Sequence, residues 1–223
     1  MKYVSIDLET TGLTDDCQIL EFAAIVDDLS IPNVNVDTLP AYHRFIKNEK
    51  NIYSGHPYAL AMNKRIFTIL DKQDYSLHRF ETAQNLLTSF AWWLRHEGGY
   101  QMLRYEYPDD NRDFHKGPNL CSYLTNNPPP DSVRIVAGGK NFAHFDLRFI
   151  QKLNGFNKEI TFSNRFMDPG MLYFDPKIDE EVPGTSLCLK RAGIESKANH
   201  EALEDAKDVI KLIRYKLGLG FNA

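Results

Sequence analysis

Four acidic residues and one histidine are the side chains in this 223-residue chain best suited to chemistry. They are Asp7, Glu9, Asp146, Asp205 and His200, and each acid stands where the local pattern favours an apolar residue. A buried carboxylate is costly unless a cation or hydrogen bonds compensate its charge. Hard oxygen ligands of this kind suit magnesium or manganese better than zinc. The sequence therefore predicts a divalent metal site, and phosphodiester chemistry is the leading interpretation.

The first two acids lie on a predicted strand. Residues 3–9 alternate between apolar and polar side chains, so Asp7 and Glu9 leave the same face of that strand. Two like charges this close raise each other's pKa unless a dication lies between them. Taken alone, the pair also fits the solvent-facing side of an edge strand.

The third acid lies on a predicted helix. Asn141 is a plausible N-cap for a helix that continues to Leu153, and Asp146 then borders its apolar stripe, about 100° around the axis from Phe145. A favourable interaction with the helix dipole explains an acid in the first turns equally well.

The last helix carries the remaining two residues. It is predicted to begin at Asn199 or His200 and to end near Gly218, with Asp205 along its buried stripe. His200 reaches the same site only if it lies at the helix entrance, where the dipole favours the neutral imidazole that a general base requires. A capping or surface histidine is the alternative.

The remaining elements define the fold class. Two more strands, a long helix, a short buried strand and a short helix are predicted at residues 19–26, 42–46, 81–95, 133–137 and 186–191. Strands first, followed by alternating helix and strand, predict an α/β fold with a mixed central sheet flanked by helices. We expect one domain over residues 1–223.

Taken together, the three segments resemble the DnaQ-like, or DEDDh, 3′–5′ exonucleases of the ribonuclease H-like superfamily. Residues 7–13 match the family pattern Asp-x-Glu-Thr-Thr-Gly-Leu, residues 141–146 match Asn-x-x-x-Phe-Asp, and residues 200–206 match His-x-Ala-Leu-x-Asp-Ala. The resemblance covers residues 1–30 and 133–217 and implies a ribonuclease H-like sheet.

The resemblance implies a role for each of the five residues. Asp7 would bridge two Mg²⁺ or Mn²⁺ ions. Glu9 and Asp205 would help to hold the ion that activates water, and Asp146 would support the second ion. His200 would act as the general base. The implied reaction releases nucleoside 5′-monophosphates from single-stranded or frayed 3′ ends of DNA or RNA.

The terminal nucleotide is expected to contact Thr10, Thr11, Leu13, Asn141 and Phe145. For Phe145, packing in the core is an equally good explanation. A catalytically silent binding module on the same fold, for nucleic acid or protein, is the alternative function. A polymerase or another protein is a second candidate partner.

The pattern of the family does not account for residues 96–132. Within this insertion, residues 98–131 combine tyrosines with arginine, lysine and several acids. One interpretation is that this segment binds a nucleic-acid strand. The alternative is a loop that packs on the body of the protein or binds another protein.

Bulk composition is consistent with this interpretation but does not demand it. The net charge is −4, although residues 41–80 carry seven lysines and arginines against three acids. An ordinary solvated surface is the alternative explanation for that stretch. Three widely spaced cysteines favour reduced thiols in the cytoplasm. No apolar run approaches the roughly 20 residues that span a bilayer, so we expect no membrane partner.

Overall fold

The computed structural model describes residues 1–48, 50–100, 132–195 and 200–222. Among these residues the strands are β1 (Lys2–Thr10), β2 (Ile19–Asp28), β3 (Val34–Asn35), β4 (Ala41–Lys47), β5 (Phe80–Thr82), β6 (Val133–Ile135), β7 (Ala137–Gly138), β8 (Ile160–Phe162) and β9 (Phe221–Asn222). The α-helices are α1 (Pro57–Met62), α2 (Lys64–Lys72), α3 (Leu86–His96), α4 (Asp146–Ile150), α5 (Pro169–Tyr173), α6 (Thr185–Ala192) and α7 (Ala202–Lys216).

A mixed five-stranded sheet forms the centre of the fold, in the order β5-β4-β2-β1-β7. The strands β1, β2 and β4 are antiparallel neighbours, while β7 runs parallel to β1 and β5 runs parallel to β4. The α/β class with a mixed, helix-flanked sheet is therefore confirmed.

Both faces of β1 are covered, which sets the environment of its acids. The face with Val4 and Ile6 packs in the cluster that includes Phe90 of α3. The opposite face packs against α7, where Val209 and Ile213 join a second cluster. Each such buried aliphatic side chain contributes roughly 1.5–3 kcal/mol. Because Asp7 and Glu9 share this second face, they lie beneath α7 and not on an open sheet surface.

A buried ion pair fixes the far end of α7 to β2. Arg214 is fully buried, and its Nε donates a 2.9 Å hydrogen bond to the carboxylate of Asp27, itself fully buried. The same guanidinium donates to the carbonyl oxygens of Ile31, at 2.9 Å, and Asp28, at 3.1 Å. These bonds compensate the buried charges and fix the position of α7 over the sheet.

Two predicted boundaries are wrong for reasons of backbone geometry. Asn141 does not cap a helix: its φ is 58°, and residues before Asp146 form turns, so α4 begins only at Asp146. The final helix begins at Ala202 with Glu201 as its N-cap, because His200 has φ 45° and cannot be helical. Asn199, the other predicted start, lies outside the described residues.

Two further predictions need correction. The strand predicted at 133–137 is interrupted: β6 pairs with β8 in a small separate sheet, whereas β7 pairs with β1. The helix predicted from residue 81 begins at Leu86, since Phe80–Thr82 is strand β5.

The part of the insertion at 101–131 lies outside the described residues, so its role and the single-domain organisation stay predictions. None of the helices in the described part of the chain is both long and apolar enough to cross a membrane.

Candidate metal centre

The first step in forming the site is the contact between β1 and α7. The hydroxyl of Ser5 is buried and donates a 2.8 Å hydrogen bond to the carbonyl oxygen of Ala206. This bond holds the N-terminal part of α7 against β1, at a position two residues before Asp7. Asp205, which precedes Ala206, therefore lies close to the strand that carries Asp7 and Glu9.

Asp146 is brought to the same place by a different contact. Its Oδ1 accepts a 3.1 Å hydrogen bond from the backbone N–H of Leu8, between the two acids of β1. The chain approaches β1 closely here, since a Cβ on Gly139 would lie 2.7 Å from the carbonyl oxygen of Ile6. A side chain at position 139 would therefore push this segment away from β1.

The histidine joins the acids at the entrance to α7. The side chains of Glu9, His200 and Asp205 each place one potential ligand atom within 4.8 Å of those of the other two. His200 is exposed, whereas Glu9 and Asp205 are half-buried. The structure places His200 two residues before α7, near Asp205.

The acids of β1 repel their neighbours. Burial, followed by the charges of Asp146, Asp205 and Glu9, raises the pKa of Asp7 well above its usual range. Burial and the nearby Glu21 raise the pKa of Glu9 to about 8. At Glu9, the charge of Arg65 and a hydrogen bond with Asn63 offset only part of this effect. Both carboxylates therefore have less compensation than their ionised forms need.

The two acids outside β1 behave similarly. Burial raises the pKa of Asp146, which is only 2% exposed, to about 8 despite the hydrogen bond from Leu8. Burial and the charge of Asp208 raise the pKa of Asp205 to about 6. A divalent cation would supply the missing positive charge, and carboxylate oxygens form a donor set that suits Mg²⁺ or Mn²⁺.

Two of the predicted nucleotide-binding residues, Thr10 and Thr11, lie at the end of β1 and at the start of the turn that follows it. The Thr10 hydroxyl donates to the carbonyl oxygen of Gly12 at 2.7 Å, and the Thr11 hydroxyl accepts from the backbone N–H of Gln18 at 2.9 Å. Both threonines are buried. These hydroxyls stabilise the turn, and their contact with a nucleotide stays a prediction.

The other three predicted contacts differ in accessibility. Leu13 is 73% exposed, and Asn141 is also exposed, so both are open to a ligand. Phe145 is half-buried and makes an edge-on contact with Phe149 at 5.2 Å between ring centroids. That contact favours a packing role for much of the Phe145 ring.

Two features of the site were missed by the sequence analysis. A cavity of about 280 Å³ lies beside the second motif, and its lining includes Lys140, Asn141, His144, Phe166 and Met171. Glu21 is a fifth acid, paired in register with Glu9 on the neighbouring strand and fully buried. Glu21 could have been noticed in the sequence, because it is an acid within the otherwise apolar run 19–26.

Known structures share this architecture. No protein-family model matches the sequence, and no curated protein matches it. The nuclease domain of 3′hExo, a DEDDh family member bound to rAMP, superposes with a TM-score of 0.57 at 13% identity, over 99% of this chain and 94% of that one. Cell-death related nuclease 4 (CRN-4) gives 0.55 at 10% identity over 98% of this chain, which spans only 64% of the CRN-4 chain.

A third similar structure is S. pombe Pop2p in its Mg²⁺- and Mn²⁺-bound form, with a TM-score of 0.53 at 12% identity over 96% of this chain and 82% of that one. The chain therefore shares the fold of these three structures. At such low identity the likeness defines the fold, and the activity must be argued from the side chains.

Proposed function

We propose that the protein is a metal-dependent 3′–5′ exonuclease that releases nucleoside 5′-monophosphates from single-stranded or frayed 3′ ends of DNA or RNA. The observation that carries this proposal is the meeting of Asp7, Glu9, Asp146 and Asp205 beneath α7, with His200 at its entrance. Uncompensated acids with a histidine beside them are what two-metal phosphodiester hydrolysis requires.

Each residue has a proposed role in that reaction. Asp7 lies among the other acids and would be shared by two Mg²⁺ or Mn²⁺ ions. Glu9 and Asp205 would hold the ion nearer His200, and Asp146 would hold the other. Bound there, the two ions would supply positive charge opposite the attacking and leaving oxygens of an in-line displacement.

His200 is proposed as the general base that takes the proton from the attacking water. Its exposure leaves a route for that proton to solvent. A positioned base of this kind contributes on the order of 10²–10⁴ in rate.

The strand is proposed to lie between the turn after β1 and the cavity beside Asn141. Exposed Leu13 would contact the terminal nucleotide, with Thr10 and Thr11 shaping the turn beneath it. Lys140 would face a backbone phosphate farther along the strand, and the apolar cavity wall would contact a base. The cytoplasm is the proposed location, consistent with free Cys17 and Cys188.

The test uses matched single-stranded DNA, single-stranded RNA and duplex, each labelled at either the 3′ or the 5′ end. We expect the 3′ label to appear at once as a nucleoside 5′-monophosphate, while the 5′-labelled strand shortens stepwise, and EDTA to stop both. Internal fragments would indicate an endonuclease. Binding without hydrolysis in Mg²⁺ and Mn²⁺ would favour the silent binding module.

A further inference from the structure

The fifth acid, Glu21, connects to groups outside the proposed metal centre. Its carboxylate is fully buried on β2, next to Glu9, where an ionised group needs partners. Its Oε1 lies 2.6 Å from Nε2 of His43, and its Oε2 accepts a 3.1 Å hydrogen bond from a terminal nitrogen of Arg65. Both oxygens therefore have protein partners, and Glu21 serves as an anchor for Arg65.

Arg65 lies on α2 and reaches a second acid with a different nitrogen. Its Nε is 3.4 Å from Oε1 of Glu201, while the other contact goes to Glu21. The planar guanidinium can make both contacts at once because its donors are arranged as a rigid fork. Arg65 thus joins the buried sheet to a residue at the surface.

Glu201 stands directly between the proposed base and its helix. It is the N-cap of α7, follows His200 in the chain, and accepts a 2.9 Å hydrogen bond from the backbone N–H of Asp205 through its carbonyl oxygen. His200 has φ 45°, a left-handed backbone that a residue with a side chain keeps only where its surroundings hold it. A contact that fixes Glu201 therefore also fixes His200.

We propose that Arg65 is a positioning residue for His200: anchored on Glu21, it holds Glu201 and so keeps the imidazole beside Glu9 and Asp205. This inference rests on the proposed function, since it assigns Arg65 to the base of that reaction. The link runs from the centre of the sheet to the helix entrance through Glu21, Arg65 and Glu201.

The first experiment compares Arg65→Gln and Arg65→Lys with the wild type. Misplacement of a catalytic group by about 1 Å can cost on the order of 10²-fold, so we expect Arg65→Gln to lower kcat by about 10- to 100-fold with KM changed less than about threefold. Arg65→Lys should lose nearly as much, because an ammonium keeps the charge but not the fork. Lys64→Gln, an exposed neighbour on the same helix, removes the same charge and should leave kcat unchanged.

The decisive comparison is a double-mutant cycle with His200→Ala. If Arg65 acts through His200, Arg65→Gln should lower kcat little further once the imidazole is gone. An equal loss in both backgrounds would overturn the proposal, and so would a rise in KM with kcat unchanged, which would make Arg65 a substrate contact. Full activity in Arg65→Lys would show that only charge matters and would also overturn it.

Two additional measurements keep the test independent of folding and of activity. Glu201→Ala breaks the link at its half-exposed end without disturbing buried Glu21, and should reproduce the loss of kcat. Hydrogen exchange at the amide of Asp205, which donates to Glu201, should be faster in Arg65→Gln than in Lys64→Gln. Unchanged exchange would refute the positioning role even if the protein were no nuclease, whereas faster exchange without hydrolysis would refute only the proposed function.

Discussion

In the absence of metal, the protein should lose stability as the pH rises from 5 to 7. Asp146 is buried and has a pKa raised to about 8, against about 3.9 for an unfolded aspartate. The folded state therefore holds a proton at this carboxyl that the unfolded state has released. The stability gained from that proton is complete below about pH 4 and is lost as the pH rises through about 8.

The size of the effect follows from linkage. One such group contributes up to about 1.4 kcal/mol per pH unit, so stability should fall by roughly 2–3 kcal/mol between pH 5 and 7. Asp7 and Glu9, whose pKa values are also raised, act in the same direction, and the acids titrate as a coupled set. For a chain of this length, each kcal/mol corresponds to roughly 2–4 °C in Tm.

The assay is thermal unfolding followed by circular dichroism in EDTA at pH 5, 6 and 7. Asp146→Asn keeps an oxygen that can accept from the Leu8 amide but removes the titrating group. The slope of stability against pH should therefore decrease by the contribution of one group, about 1.4 kcal/mol per pH unit. Asp71→Asn, at an exposed position on α2, is the matched control and should leave it unchanged. A wild-type stability that stays level or rises over this range would refute the account of uncompensated buried acids.

Further predictions concern the proposed catalytic groups. Asp7→Ala or Asp205→Ala should abolish metal-dependent nucleotide release while Tm in EDTA holds or rises, because each removes a source of repulsion; a large drop in Tm would contradict this. His200→Ala should lower turnover by about 10²–10⁴ but spare Mn²⁺ affinity, with partial recovery at higher pH, since hydroxide needs no base; loss of Mn²⁺ binding would make His200 a ligand instead. Lys140→Ala should raise KM for oligonucleotides about three- to tenfold and leave kcat unchanged, whereas Lys158→Ala, another surface lysine, should do neither; equal effects would exclude a specific role for the cavity.

Periodicity was sufficient to predict the parts of the site that lie on regular elements. The alternation of β1 placed Asp7 and Glu9 on one face, and the helical stripe of α7 placed Asp205 toward the sheet. It did not predict the turn before Asp146. Asn141 has a left-handed backbone, and the spacing of apolar residues gives no sign of such a conformation.

Glu21 and its partners could not be predicted in this way. Most of β2 is buried on both faces, so its sequence does not alternate and an acid within it has no assigned direction. Arg65 lies 44 residues from Glu21 in sequence. Contacts of this range depend on how α2 packs beside the sheet, which local patterns do not specify.

The most direct test of the central claim is the number of divalent ions that the acids bind. Isothermal titration of Mn²⁺ into the protein with a nucleoside 5′-monophosphate present should give two ions per chain, and Asp7→Ala should bind fewer and more weakly. Weak binding in the wild type, or two ions bound equally well by Asp7→Ala, would contradict a two-metal centre formed by Asp7, Glu9, Asp146 and Asp205.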